Sequence, residues 1–156
     1  MSETPELPWP VPDDRSQLLM ANQFADMHGL VRDLVIPPGL PPAAESVLTT
    51  VRELIRHSYF RYEFLMVGAA MSIIAIEAAL AERYGKGILA NHLKKARADG
   101  LLTEEQYDLL DSSGRSIRNN FAHGDLTHAA LTPPLAIGVV RTSLTILTEL
   151  HAPSGS

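Results

Sequence analysis

The sequence predicts an all-α fold, on three observations. Proline stands at 5, 8, 10 and 12, at 37, 38, 41 and 42, at 133 and 134 and at 153, and nowhere between Ala43 and Thr132. Proline lacks a backbone donor and clashes with the preceding helical turn, so the proline-free stretch is open to long helices. Apolar residues within that stretch recur at helical spacing, and no Asn-Gly or Asp-Gly joins two alternating apolar runs as a hairpin would require. The expected architecture is an up-and-down bundle of four to five core helices with an extra N-terminal helix.

The elements follow in order. Residues 1–15, rich in proline, read as an extended arm, and residues 16–151 as a single domain with its core in 43–151. An N-terminal helix is expected near Ser16, with Leu19, Phe24, Met27 and Val31 toward one side. A helix from about Ala43 to His57 carries Val47, Val51, Leu54 and Ile55 at helical spacing. The next, about Tyr59 to Tyr84, is apolar almost all round, which marks a central helix. Its apolar run, Met66 to Ala81, is interrupted by Glu77 and followed by Glu82 and Arg83, so it reads as a core helix and not a membrane span. Gly85 and Gly87 close it, and a shorter helix, Ile88 to Ala98, ends at Gly100. Thr103 to Gln106, TEEQ, is a capping-box pattern that opens one further long helix, with Gly124 as its closing residue. Thr132 and Pro133 supply the N-cap and first position of a last helix that runs to about His151.

Composition narrows the function. A 156-residue chain with 46% apolar and 20% charged residues fits one globular domain. It holds no cysteine, which excludes disulfides, thiol nucleophiles and cysteine-based zinc sites. The N-terminus has neither the basic nor the apolar region of a signal peptide, so a cytoplasmic protein with no membrane partner is expected. The net charge of −5 argues against coating nucleic acid, yet acids concentrate in residues 1–40. Arg83, Lys86, Lys94, Lys95 and Arg97 form a run with no acid between them, followed by an acidic stretch from Asp99 to Asp111. Such runs are most often solvated faces; Lys94, Lys95 and Arg97 are nevertheless candidates for contact with a polyanion.

The chemistry-bearing stretch is RSIRNNFAHGD, Arg115 to Asp125. Arg118, Asn119 and His123 form the pattern R-N-x-x-x-H at the end of a helix. Arginine grips phosphate oxygens with a planar fork. An imidazole is the ordinary side chain for moving a proton near neutral pH. Five residues span roughly 140° of an α-helix, so Arg118 and His123 share no face automatically. Arg115, one turn before Arg118, offers a second cation. Glu77 is a carboxylate on an apolar helix and requires a partner, with Arg118 or Arg115 the most economical. The plainer reading of the motif is structural: Arg118 pairs with Glu77, and His123 satisfies a carbonyl.

R-N-x-x-x-H, the preceding IEAAL helix with Glu77 and the short basic helix between them resemble the HEPN superfamily over about residues 43–151. The resemblance implies a metal-independent endoribonuclease, of the kind used as a toxin or defence effector, or else a non-catalytic module that binds nucleotide, RNA or a partner protein such as an antitoxin. It implies His123 as base, Arg118 as phosphate clamp, Asn119 as orienting group, Glu77 behind them, and a homodimer in which two motifs face one another. No cofactor and no metal are expected. His123, Asp125 and His128 hold ligand-type groups, but their spacing fits no metal signature, and His28, His57 and His92 read as surface or core residues. Ser112, Ser113 and Ser116 lack a nucleophile elbow, and no phosphate-binding P-loop sequence is present.

Overall fold

The computed structural model describes residues 6–126 and 132–151, and every regular element among them is helical. The elements are α1 (Met27–Val31), α2 (Pro42–His57), α3 (Phe64–Tyr84), α4 (Leu89–Ala98), α5 (Glu104–Leu109), α6 (Arg115–Ala122) and α7 (Pro133–Leu150). Helix α3 is the axis of the fold and packs against α2, α4, α6 and α7.

Helix α2 starts where two prolines meet. Pro41 is extended at φ −54°, ψ 143°, and Pro42 takes the first helical position, where a missing N–H costs nothing. Its buried face is Leu48, Val51 and Ile55, with the expected Val47 and Leu54 only half-buried beside it. Gly68 lets α2 approach α3 closely: a Cβ there would stand 3.4 Å from both Val51 O and Ile55 Cγ1. The small residues Ala69, Ala70 and Ser72 of α3 are fully buried, and Ser72 Oγ lies 3.1 Å from Ser143 Oγ on α7. By length and composition alone α3 suffices to cross a membrane, with a mean hydropathy of 2.1 over its most apolar window. Half of that window is buried inside the fold.

Three expectations are corrected by the structure. The N-terminal helix is broken into 3-10 turns at Ser16–Leu19 and Phe24–Asp26 followed by the short α1. Met20, at φ 56°, stands in the left-handed region and stops the first turn. Asp26 then draws the chain into a new start by accepting from the amides of Asn22 and Gln23. Helix α3 begins at Phe64, not near Tyr59, because residues 59–63 make a turn to which the end of the arm is tied. Asp13 N donates to Tyr59 O, and the Asp13 carboxylate accepts from Tyr62 N at 2.8 Å each. The arm's Trp9, in contrast, is 87% exposed. Residues 1–5 of the arm lie outside the described residues.

The third correction concerns the helix that carries the motif. It is not regular: α5 passes into α6 through a π-helical turn, Leu110–Gly114. Such a turn changes which side chains face inward, and glycine permits it here. Gly114 is buried, and a Cβ on it would meet Ile73 Cδ1 at 3.1 Å. Four residues further along the chain from Gly114 and from Ile73, Arg118 of α6 meets Glu77 of α3. The two helices therefore run side by side in the same sense, and the register set at Gly114 delivers Arg118 to its partner.

Local signals at the helix ends form as the sequence indicates. Thr103 and Gln106 make a reciprocal capping box at α5, and Thr132 Oγ1 accepts from Leu135 N at α7.

Candidate functional site

Arg115, Arg118 and Asn119 on α6 line one cleft of about 290 Å³ together with Glu77 of α3 and Gly87, Ile88, Leu89 and Ala90 at the start of α4. Both arginines are held. Arg118 Nε donates to Glu77 Oε2 at 3.1 Å, which makes Arg118 the partner that the Glu77 carboxylate requires. Arg115 Nη1 donates to Asp111 Oδ1 at 2.9 Å, one helical turn back. The Arg118 pair is neither buried nor fully exposed, with 39% of the arginine and 25% of the glutamate side chain accessible. Its direct stabilisation is therefore modest, at most about 1 kcal/mol. What the pair does is fix a direction: with Nε on Glu77, the two terminal guanidinium nitrogens remain for a ligand.

His123 occupies a different place. Helix α6 ends in a Schellman motif: Gly124, at φ 75°, donates to Phe121 O at 3.0 Å, and Asp125 N donates to Asn120 O at 2.8 Å. His123 is the C-cap, and its backbone N–H bonds to Asn119 O at 3.1 Å. Its side chain is exposed, makes no hydrogen bond to any described residue and is not among the cleft's lining residues. Arg118 and Asn119 thus share the cleft, whereas His123 stands free at the helix end beyond it, as the angular spacing of five residues dictates.

The basic run of α4 is divided. Lys94 and Lys95 are exposed, and Lys95 Nζ lies 5.9 Å from the Tyr84 ring centroid. Arg97 is spent on structure: its guanidinium stacks over the Tyr107 ring at 3.9 Å and lies 3.5 Å from Glu104, binding α4 to α5. None of the three lines the cleft. His128 lies outside the described residues; His92 is buried, and His57 Nδ1 is within 2.8 Å of Glu53 O.

Sequence reasoning missed the α4 side of the cleft. The available signal was the stretch Gly87-Ile88-Leu89-Ala90, a helix start with no Ser, Thr, Asp or Asn to cap it, which leaves amides open to an external acceptor. No protein-family model, curated protein or solved structure matches this chain.

Proposed function

We propose that this chain is a metal-independent endoribonuclease of HEPN type that acts as a homodimer. The observation that carries the reading is the shared cleft of Arg118, Asn119 and Arg115, with an unengaged His123 imidazole at the end of the same helix. RNA contains its own nucleophile. In this scheme His123 takes the 2′-hydroxyl proton, the 2′-oxygen bonds to phosphorus, and the P–O5′ bond breaks. The 5′-oxygen leaves with a proton from an acid or water, giving a cyclic phosphate and a 5′-hydroxyl. Arg118 stabilises the charge that gathers on the phosphorane oxygens, and Asn119 orients the phosphate. Because His123 stands outside the cleft of its own subunit, a second copy related by a two-fold axis is the natural source of the imidazole for each cleft. A toxin or defence role under control of an antitoxin accords with this activity.

A second reading is favoured by the same separation of His123 from the cleft: a non-catalytic module that binds nucleotide, RNA or a partner protein through Arg118. The two part over His123. Purified protein is incubated with RNA, and the ends of any fragments are characterised. The ribonuclease reading expects cyclic phosphate and 5′-hydroxyl ends from the wild type and none from His123→Ala. Wild-type protein that retains RNA without cutting it, with affinity unchanged in His123→Ala, would establish the binding module instead.

A further inference from the structure

The molecule carries an apolar arm and an apolar groove that do not meet. Leu7, Trp9 and Val11 of the arm are 88%, 87% and 70% exposed. Each is followed by a proline, at 8, 10 and 12. Proline confines the residue before it to extended backbone, so the three side chains ride on a stiff segment that loses little freedom on docking. Every second N–H of that segment is missing, so it cannot pair as a sheet strand does and binds through its side chains instead.

The groove, of about 250 Å³, runs between α2, α3 and α7, with Val47, Ile74, Ala75, Ala78 and Leu147 in its lining and Glu82 and His151 as its polar members. Ligand pockets begin at roughly 300 Å³, so this one suits one or two side chains and not a cofactor. Ile74 on its rim is 41% exposed. The chain's own arm falls short of it. Asp13 is fastened to Tyr59 O and Tyr62 N, just before α3. From Phe64 to Ala78 the helix advances about 21 Å. The four steps from Asp13 back to Trp9 span at most about 14 Å.

We infer that the groove receives the arm of a second copy of this chain, with Trp9 over Ala78 and Leu7 and Val11 to either side. Exchanged reciprocally, two arms close a pair, because each copy offers the same arm and the same groove. Three apolar side chains per arm make a smaller contact than the roughly 800 Å² per partner of a standard interface, so half-association is expected at about 100 µM. That is well above the micromolar range in which facing motifs are expected to pair. The groove shares no residue with the cleft of Arg115 and Arg118, and the inference does not depend on what the cleft binds.

Trp9 is the only tryptophan, so the fluorescence of the full-length protein reports on the arm alone. Between about 1 µM and about 500 µM the wild-type emission is expected to move to shorter wavelength, half-complete near about 100 µM. Ala78→Arg fills the groove at an exposed position where arginine suits a helix, and is expected to abolish the shift. Trp9→Ala has an open groove and no signal of its own. Mixing it in excess with Ala78→Arg is expected to bring the shift back, because the arm of one variant then meets the groove of the other. Emission that ignores concentration, a shift that survives Ala78→Arg, or no recovery in the mixture overturns the inference. Should circular dichroism show Ala78→Arg misfolded, Ile74→Glu on the same rim takes its place in each arm of the test. Pairing through the Arg118 motifs alone leaves Trp9 exposed and gives no shift, which also overturns it.

Discussion

Arg118 Nε and Glu77 Oε2 meet at 3.1 Å across the α3–α6 contact, so the arginine of the motif is aimed from the central helix and not from its own. On this account Glu77 is a positioning residue. Glu77→Gln is expected to lower kcat for RNA cleavage by about tenfold, with KM unchanged or reduced because a negative charge leaves the cleft. The thermal unfolding midpoint should move little, since a half-exposed pair contributes at most about 1 kcal/mol. A rise in KM with kcat intact would show that Glu77 serves binding alone.

The register that delivers Arg118 is set one turn earlier, at Gly114. Alanine there adds a methyl 3.1 Å from Ile73 Cδ1 and 3.3 Å from Leu110 Cδ2, both fully packed. Overpacking costs about 1–3 kcal/mol, partly offset by the roughly 1 kcal/mol that alanine gains over glycine in a helix. A net loss near ~1 kcal/mol is expected by chemical denaturation. Adding Ile73→Val, which removes the crowded methyl, should recover most of that loss. Strict additivity of the two substitutions would contradict the contact.

His123 depends on the turn that follows it. Gly124 sits at φ 75°, where a Cβ is strained. Gly124→Ala is expected to cost about 1 kcal/mol and to fray the end of α6. Cleavage should then fall well below the fraction of protein that remains folded, measured by activity and circular dichroism at one temperature. Activity that merely tracks the folded fraction would show that His123 needs no fixed helix end.

The acid dependence of stability is expected to centre on Asp13, Arg15 and Glu63. Arg15 donates to Asp13 Oδ1 and Oδ2 at 3.0 Å and to Glu63 Oε1 at 2.8 Å, tying the arm to the start of α3. The hydrogen bonds from Arg15, helped by the Tyr62 amide, hold the Asp13 carboxyl well below the usual carboxylate range against the effect of burial. Burial alone would raise Glu63, but Arg15 and Arg61 keep it below its ordinary value too. Both carboxyls are depressed on folding, so their contribution is full above the unfolded carboxylate range and is lost as pH falls below about 4. Melting curves from pH 7 downward should show Asp13→Asn less stable at neutral pH and converging on the wild type in acid. Parallel curves would rule out this cluster as the source.

Much of the fold is legible because its signals are local. The Thr103 capping box, the Thr132 cap and Gly124 each act on a few neighbouring residues, and each forms as read. The π-helical turn at Leu110–Gly114 was not legible, since it answers the surface of α3 and not the sequence of α6. The broken N-terminal segment likewise depends on Met20 entering the left-handed region, which its apolar spacing does not betray. At the site, a carboxylate on an apolar helix announced its need for a partner, and Arg118 is that partner. The α4 amides stayed hidden because Leu89 and Arg118 share a cleft only after α4 and α6 have both packed on α3.

Assembly provides a further check. Light scattering at micromolar concentration is expected to give about twice the 17.0 kDa chain mass. Phosphate or RNA should favour that dimer by relieving repulsion between facing Arg115 and Arg118 groups. A mass of one chain with and without RNA would remove the composite site.

The most direct measurement compares two oligonucleotides in EDTA, one all-RNA and one carrying a single 2′-deoxy substitution at the scissile position, with wild type, Arg118→Ala and His123→Ala. Wild type is expected to cut the all-RNA strand despite the chelator and to leave the deoxy linkage intact, and both variants to lose at least about a hundredfold in rate, as the loss of a general base or of a charge-stabilising donor does. Cleavage of the deoxy linkage, or full activity in either variant, would contradict the ribonuclease mechanism.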